Sequence, residues 1–297
     1  MEGGAIRLGG SGAQARRIIM PGSLRRVAAR ESGTMKHEEV SIRTRDGECP
    51  AHVFTPDGAG PWPAVIVYMD AFGIRPALMQ VGERVASGGY VALVPDLFYR
   101  YGAYGPLDPK EAFAGDFRAM VGPLMATTDN ARVAQDTEAF LAYLDTRHDV
   151  AGAKVGTVGF CMGGGMAITA AGVYPGRVAV VVSFHGGRLA TDDPASPHLL
   201  ARKIRAELYI AVADNDRSCP PEMVERFTQA LDDAGVRYRC EVYHGASHGW
   251  MKTDFPVYDE AAAERGWSEM FALFDRVLKQ AARGLPARCH ERGPRND

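Results

Sequence analysis

The sequence lacks the features that place a chain in a membrane or on nucleic acid. None of its apolar segments approaches the ~20 residues that a membrane-spanning helix needs. The 297 residues carry a net charge of -2, and no sustained basic run lies within the body of the chain. Neither a membrane nor nucleic acid is therefore an expected partner. Hydrophobic residues make up 46% and charged residues 24% of the chain, which is typical of a globular protein with a sizeable core.

Cofactor loops and disulfide patterns are missing as well. The five cysteines, at positions 49, 161, 219, 240 and 289, are odd in number and include no C-x-x-C pair. This argues against a disulfide framework or a zinc site and favours a reducing, cytoplasmic compartment. The run Gly163-Gly164-Gly165 lacks the lysine and hydroxyl of a phosphate-binding loop. We therefore predict no metal and no cofactor.

The two ends of the chain differ from its middle. Residues 1–34 are rich in Gly, Ala, Ser and Arg but contain no apolar core of a secretory signal, although their Arg-rich, acid-poor character resembles an organelle transit peptide. We predict a disordered extension over 1–34, one domain over 35–283 that opens at Met35, and a disordered polar tail over 284–297. The sequence is compatible with a monomer or a small homo-oligomer.

Strands and helices alternate through the body of the chain. Residues 40–44 and 51–54 flank Asp46-Gly47, which predicts an antiparallel hairpin. Apolar runs typical of parallel strands that are buried on both faces follow, and residues 130–145 have the spacing of an amphipathic helix. We predict an α/β fold with a doubly wound, mostly parallel sheet, helices on both faces and an N-terminal hairpin. The expected inner and edge strands cover 64–69, 90–94, 155–160, 178–183, 207–212 and 238–243.

The strongest motif is Gly159-Phe160-Cys161-Met162-Gly163. It matches the G-x-S-x-G nucleophile elbow with cysteine in place of serine. Such a turn holds the nucleophile above the sheet in a strained conformation, and the flanking glycines relieve the crowding. A lone cysteine between glycines is more often a small buried residue, so the motif needs a histidine and an acid downstream.

Both partners follow, each after a predicted strand. Asp216 follows the strand at 207–212, and His248 follows the strand at 238–243. Nucleophile, acid and histidine in this order are typical of α/β-hydrolases, which predicts a triad of Cys161, Asp216 and His248. Asp214 and His244 are the alternatives, although Asp214 is better placed to shape its turn and His244 to line the wall.

The chain resembles the dienelactone hydrolase family of α/β-hydrolases over most of residues 36–280. The resemblance implies that Cys161 is the nucleophile, His248 the base and Asp216 the acid that orients it. It further implies an oxyanion hole formed by the backbone N–H groups of Met162 and Ala71. Four stretches carry it: Asp70-Ala71-Phe72-Gly73-Ile74, Pro95-Asp96-Leu97-Phe98-Tyr99-Arg100, the run from Gly159 to Gly165, and His248-Gly249-Trp250.

Three further residues are implicated by the same resemblance. Arg100 and Lys252 match positions where the family presents cations to the carboxylate of its substrate, although Lys252 replaces an arginine and lacks the bidentate fork. Asp70 stands where well-known members have a glutamate that takes part in thiol activation. Because aspartate is one methylene shorter, Asp70 is only a candidate activator of Cys161.

The resemblance implies a cofactor-independent hydrolase of a small carboxylate-bearing lactone or enol ester. The reaction would pass through a thioacyl-enzyme on Cys161. One alternative is a thioesterase or general carboxylesterase on the same triad, because bulky apolar residues in the irregular segment 96–127 could accept a longer acyl group. The other alternative is a weakly active binding or sensor protein with a hydrolase fold, since fold alone does not establish activity.

Overall fold

A computed structural model describes residues 35–279 of the protein. The predicted disordered segments 1–34 and 284–297 lie outside the described residues. Eight strands are present within 35–279, and each predicted strand is among them. They are β1 (Lys36–Arg43), β2 (Glu48–Thr55), β3 (Ala64–Tyr68), β4 (Val91–Pro95), β5 (Val155–Phe160), β6 (Val178–Phe184), β7 (Glu207–Asn215) and β8 (Tyr238–Ser247).

The eight strands form one sheet in the order β1-β2-β4-β3-β5-β6-β7-β8. The pairs β1/β2 and β2/β4 are antiparallel, and every other neighbouring pair is parallel. All residues of β3, β4 and β5 are buried, which explains why these strands read as continuous apolar runs. The predicted hairpin and mostly parallel sheet are confirmed.

Helices connect the parallel strands and cover the sheet. They are α1 (Pro76–Ser87), α2 (Pro109–Ala114), α3 (Phe117–Met125), α4 (Asn130–Asp145), α5 (Met162–Val173), α6 (Pro221–Asp233) and α7 (Glu260–Phe274), with a 3-10 turn at Pro197–Lys203 and a π turn at Asp275–Lys279. Ser183 of β6 packs against Gly164 of α5, whereas the next residue, Phe184, packs against Gly266 of α7. Because successive strand residues point to opposite faces, α5 and α7 lie on opposite faces of the sheet.

The predicted helix over 130–145 is confirmed, and the segment over 96–127 contains more structure than its composition suggested. It folds into α2 and α3, whose first turns are capped by the side chains of Asp108 and Asp116. Among the helices of residues 35–279, none combines the length and apolarity that crossing a bilayer would require. The loops after β3, β5, β6, β7 and β8 gather at the carboxyl edge of the sheet, where doubly wound folds bind ligands.

Candidate active site

Cys161 occupies the sharp turn between β5 and α5. Its backbone has φ 55° and ψ -119°, a conformation that non-glycine residues rarely adopt and that costs energy. Hydrogen bonds on both sides hold it there. The N–H of Cys161 donates to Phe184 O at 3.2 Å, and its carbonyl accepts from the N–H groups of Gly164 at 3.1 Å and Gly187 at 3.2 Å. The strained turn between strand and helix that the motif predicted is therefore present.

Two glycines of the motif are required by close backbone approach. A Cβ atom on Gly159 would overlap the carbonyl group of Gly163, and one on Gly163 would overlap the carbonyl oxygens of Tyr68 and Met69. Backbone atoms cannot move aside as a flexible side chain could. The predicted steric role of these glycines is confirmed, and it lets α5 pack directly on β3.

His248 and Asp216 form a hydrogen-bonded pair beside this turn. His248 Nδ1 donates to Asp216 Oδ2 at 2.7 Å, which fixes the ring orientation and directs Nε2 away from the carboxylate. Ser218 holds the other oxygen, because its backbone N–H and its hydroxyl donate to Asp216 Oδ1 at 2.7 and 2.6 Å. The Asp216 side chain is only 1% exposed, whereas that of His248 is 26% exposed. Asp216 thus orients the ring of His248 through Nδ1, and the His248 side chain remains accessible to a substrate.

Charge distribution favours a protonated His248. Burial alone would lower its pKa, but the negative charge of Cys161 and hydrogen bonding to Asp216 and Cys161 raise the pKa of His248 to about 10. Burial would likewise raise the pKa of Asp216, and the contacts with His248 and Ser218 outweigh it and lower that pKa. The contact between His248 and Asp216 therefore favours the charged form of both side chains.

Two backbone N–H groups near the Cys161 turn in the chain or the sheet are those of Met162 and Ala71. Met162 is the first residue of α5, and Ala71 follows β3. Within residues 35–279, neither N–H group has a hydrogen-bond acceptor. Their neighbours do have acceptors, since Phe72 N–H donates to Asp70 Oδ1 at 2.9 Å and Cys161 N–H also approaches His185 Nδ1 at 3.2 Å. Unpaired N–H groups at a helix N-terminus and beside a nucleophile suit a developing oxyanion.

A buried ion-pair cluster joins two of these loops. Arg75 donates from Nη1 to Asp70 Oδ1 at 2.8 Å and from Nη2 to Asp70 Oδ2 at 3.1 Å. The same guanidinium donates from Nε to Asp254 Oδ2 at 2.6 Å. Lys252 Nζ lies 3.3 Å from Asp70 Oδ2 and 4.1 Å from the centre of the Phe160 ring. We call Asp70, Arg75, Lys252 and Asp254 the Arg75 cluster. It ties the Ala71 loop to the loop that follows His248.

The sequence of this chain matches the model of one protein family. The model described as "Dienelactone hydrolase family" covers residues 49–278. The chain belongs to the dienelactone hydrolase family.

Individual members and solved structures agree with this. The chain is 30% identical over 245 residues to a Synechocystis sp. protein named "Putative carboxymethylenebutenolidase", covering 81% of this chain and 96% of that protein. It is 28% identical over 240 residues to a Bradyrhizobium sp. protein named "Probable 2-oxo-3-(5-oxofuran-2-ylidene)propanoate lactonase". That match covers 79% of this chain and 92% of the Bradyrhizobium protein. The crystal structure of a "Putative Dienelactone Hydrolase" from Klebsiella pneumoniae subsp. pneumoniae has a TM-score of 0.73 and 27% identity, covering 82% of this chain and 100% of that one. The chain is thus a hydrolase with the α/β-hydrolase fold, as the sequence resemblance implied.

Asp70, the predicted thiol activator of this dienelactone hydrolase family member, contacts cations and not Cys161. Asp70 is fully buried, and its hydrogen bonds and ion pairs within 35–279 reach Arg75, Phe72 N–H and Lys252 but not Cys161. Burial would raise the pKa of Asp70, but the charges of Lys252 and Arg75 outweigh it and lower that pKa. Its role as thiol activator stays a prediction, and these contacts assign it to holding the Ala71 loop.

The two predicted substrate cations are both paired with carboxylates inside the protein. Arg100 donates to Asp136 at 2.7 and 2.9 Å and to Asp46 at 2.8 and 2.9 Å, so its charge is taken up between the hairpin and α4. Lys252 is 1% exposed within the Arg75 cluster. Burial lowers the pKa of Lys252, an effect that Asp70 partly offsets. These contacts occupy both cations, which leaves neither free for a substrate carboxylate. The sequence alone did not reveal the acidic residues that pair with them.

The alternative triad residues lie at the surface. The side chain of His244 is 83% exposed and lies 3.5 Å from Asp214. Asp214 lies within β7, and its Oδ2 accepts the N–H of Gly245 in the neighbouring β8 at 3.2 Å. Within the described residues, no hydrogen bond or ion pair joins either of them to Cys161, His248 or Asp216.

His185 is a site residue that the sequence analysis missed. It follows β6 with φ 40° and is fully buried, with its ring centre 5.0 Å from that of His248 and 5.1 Å from that of Trp250. Its Nδ1 lies 3.2 Å from the N–H of Cys161, and its Nε2 has no partner within residues 35–279. Burial, and then the charges of His248 and Lys252, lower the pKa of His185 well below its usual value. Its place directly after a buried strand at the carboxyl edge was the available signal.

Proposed function

We propose that this protein hydrolyses a small carboxylate-bearing lactone or enol ester with Cys161 as nucleophile, His248 as acid and base, and Asp216 as the residue that orients His248. The observation that carries the proposal is the Cys161 turn, together with the hydrogen-bonded Asp216–His248 pair and two N–H groups that have no acceptor within residues 35–279. This arrangement is the template of triad-based acyl transfer.

The reaction has two halves. The Cys161 thiolate attacks the carbonyl carbon, a C–S bond forms, and the carbonyl electrons move to oxygen. The N–H groups of Ala71 and Met162 donate to this oxyanion. Collapse breaks the C–O bond, and the imidazolium of His248 gives its proton to the leaving oxygen. His248 then takes a proton from water, which attacks the thioester, breaks the C–S bond and releases the acid.

Comparison with the other described cysteines supports Cys161 as the nucleophile. Burial raises the pKa of Cys219 to about 12 and that of Cys240 to about 11, so both are thiols at neutral pH. Thiolates, not thiols, attack carbonyl groups. Cys161 is partly exposed and is the cysteine whose charge acts on His248.

Leaving-group chemistry supports a lactone or enol ester. An enolate departs easily, which suits a thiolate that hydrolyses ordinary alkyl esters poorly. The names of two relatives, a carboxymethylenebutenolidase and a lactonase, fit this substrate class. An apolar acyl group, as in a thioester or general carboxylester, is the second candidate. It is favoured by a cluster of aromatic rings that begins at Phe72, the residue after Ala71. The other members are Phe113, Phe117 and Phe255, and Phe113 is 49% exposed.

The test is hydrolysis of a cis-dienelactone, 4-nitrophenyl acetate and a long-chain acyl thioester by the wild type, Cys161→Ala and Asp70→Glu. We expect efficient lactone cleavage that Cys161→Ala lowers by about 10⁴-fold or more, the usual cost of losing a triad member. Mass spectrometry of enzyme quenched during turnover of the acetate should find the acetyl group on Cys161. We expect Asp70→Glu to lower the rate, because the extra methylene has no room between Arg75 and Lys252.

Lactone cleavage that persists in Cys161→Ala would contradict the proposal that Cys161 is the nucleophile. Turnover of the thioester with no turnover of the lactone would instead assign the protein to the second candidate. A rise in lactone turnover in Asp70→Glu would show that this carboxylate acts on the thiol after all.

A further inference from the structure

A small cavity is lined by Met162, which directly follows Cys161, and by Gly187, whose N–H donates to the carbonyl of Cys161. Its volume is about 170 Å³. The N-terminal ends of α4 and α5 both reach it, through Asn130 and Met162. Its apolar wall consists of Met125, Met162 and Met166. Because Met162 follows the nucleophile directly, a substituent on the acyl carbon held at Cys161 could extend into this cavity.

Arg188 lines the cavity and is exposed. It has φ 56°, a left-handed conformation that is uncommon for arginine. Its N–H donates to Ser218 O at 2.7 Å, and the preceding Gly187 N–H donates to the carbonyl of Cys161. Its backbone is therefore fixed to both the nucleophile turn and the Asp216 loop. Within residues 35–279, no carboxylate lies within ion-pair distance of its guanidinium, in contrast to Arg100 and Lys252.

A second donor in the cavity also has no partner. Thr128 is 8% exposed, and its hydroxyl makes no hydrogen bond within the described residues. Buried hydroxyl groups are normally paired, so an unpaired one in a cavity points to a ligand atom. The two carboxylates that line the cavity are already engaged. Asp129 accepts the N–H of Arg132 at 2.8 Å, and Asp193 accepts the N–H of Ala195 at 2.8 Å.

We infer that this cavity binds the acyl arm of an anionic ester and that Arg188 pairs with the carboxylate of that arm, with the Thr128 hydroxyl as a further donor. This inference rests on the proposed function. At about 30 Å³ for each water-sized group, the cavity accommodates an arm of about five or six non-hydrogen atoms. The N-terminal ends of α4 and α5 add favourable electrostatics for an anion. Arg188 thus takes the specificity role that the sequence had assigned to Arg100 and Lys252.

The experiment compares 4-nitrophenyl hydrogen glutarate, whose arm beyond the acyl carbon is within this length, with its methyl ester, which has the same leaving group and chain but no charge. The measured quantity is the ratio of kcat/KM for the two esters. We expect Arg188→Gln to lower this ratio by about tenfold, the effect of a single charge-assisted contact. Arg188→Lys should retain most of the ratio. The control is Arg202→Gln, which removes the same charge from an exposed site outside the cavity and should leave the ratio unchanged.

Two further measurements separate specific pairing from a general charge effect. Added NaCl should reduce the wild-type ratio more than that of Arg188→Gln, because salt screens an exposed pair. Thr128→Val should lower the ratio by about threefold, as expected for one lost hydrogen bond.

Equal ratios in the wild type and Arg188→Gln, or an equal loss in Arg202→Gln, would overturn the inference while leaving the proposed function intact. Hydrolysis of both esters by Cys161→Ala would instead overturn the proposed function. A failure of the wild type to hydrolyse either ester would overturn both.

Discussion

Burial and charge act in opposite directions on the two histidines beside Cys161. His185 and His248 have ring centres 5.0 Å apart, and burial disfavours the charged form of each. At His248 the interactions with Cys161 and Asp216 outweigh burial, so its pKa rises to about 10. His185 has cationic neighbours instead, so its pKa falls. Two adjacent residues of the same type thus differ in protonation because of their neighbours, and only His248 is equipped to move a proton.

This difference predicts distinct titrations. Because its pKa is raised, His248 should stay protonated as the pH rises through 7 and should lose its proton only near pH 10. His185 should stay neutral throughout the neutral range. In Asp216→Asn, the His248 titration should move to lower pH, because the carboxylate that favours the imidazolium is gone. The measurement is ¹⁵N NMR of the imidazole nitrogens from pH 5 to about 11, with His248→Gln used to assign the signals. An unchanged His248 titration in Asp216→Asn would contradict the pairing.

At the scale of elements, Arg75 links two loops that carry different parts of the candidate site. Ala71 lies on the loop after β3, and His248 lies on the loop after β8. Arg75 and Asp254 are 179 residues apart in the chain yet only 2.6 Å apart through Nε and Oδ2. Because the guanidinium is bidentate to Asp70 and also bonded to Asp254, it fixes the loops relative to each other better than a single-point contact would.

We therefore expect Asp254→Asn to lower kcat for ester hydrolysis by about tenfold, since displacing an oxyanion donor weakens transition-state stabilisation. Alkylation of Cys161 by iodoacetamide, which needs no oxyanion donor, should proceed at the wild-type rate. The matched control is Asp46→Asn, which removes an exposed partner of Arg100 and should leave both rates unchanged. An equal fall in hydrolysis and alkylation would indicate a general disturbance of the site and would refute a role in positioning Ala71.

The elements themselves could be read from the sequence where local rules decide them. Continuous apolar runs predicted the buried strands, Asp46-Gly47 the hairpin, and the spacing of apolar residues the helix over 130–145. The capping residues Asp108 and Asp116 were visible signals for α2 and α3, but many aromatic, Gly and Pro residues in that segment obscured them. Side-chain partners were not readable, because pairs such as Arg75–Asp254 and Arg100–Asp136 depend on how distant segments meet. Arg188 could be proposed as the substrate cation only after the structure showed that Arg100 and Lys252 are paired with carboxylates.

At the scale of the whole molecule, every contact described around Cys161 is made by residues 35–279. β1 begins at Lys36 and pairs along its whole length with β2. Leu278 lies in the π turn after α7 and packs against Gly156 of β5, which places the end of the described region within the core. The described parts of the sheet and of the candidate site therefore lie within the domain predicted over 35–283.

A chain limited to residues 35–283 should consequently keep both stability and activity. We expect its Tm to lie within about 2–4 °C of the full chain, since for a domain of this size that shift corresponds to about 1 kcal/mol. Its kcat/KM for the lactone should be unchanged, because none of the groups proposed to act lies outside this range. Calorimetry and the lactone assay on both chains are the measurements, and a chain ending at residue 273 serves as the contrast. That shorter chain loses Phe274 and Leu278 from the core, where removing each large apolar side chain costs about 2–5 kcal/mol, and it should unfold at a markedly lower temperature. A large loss of Tm or of activity in the 35–283 chain would show that the terminal segments belong to the functional unit.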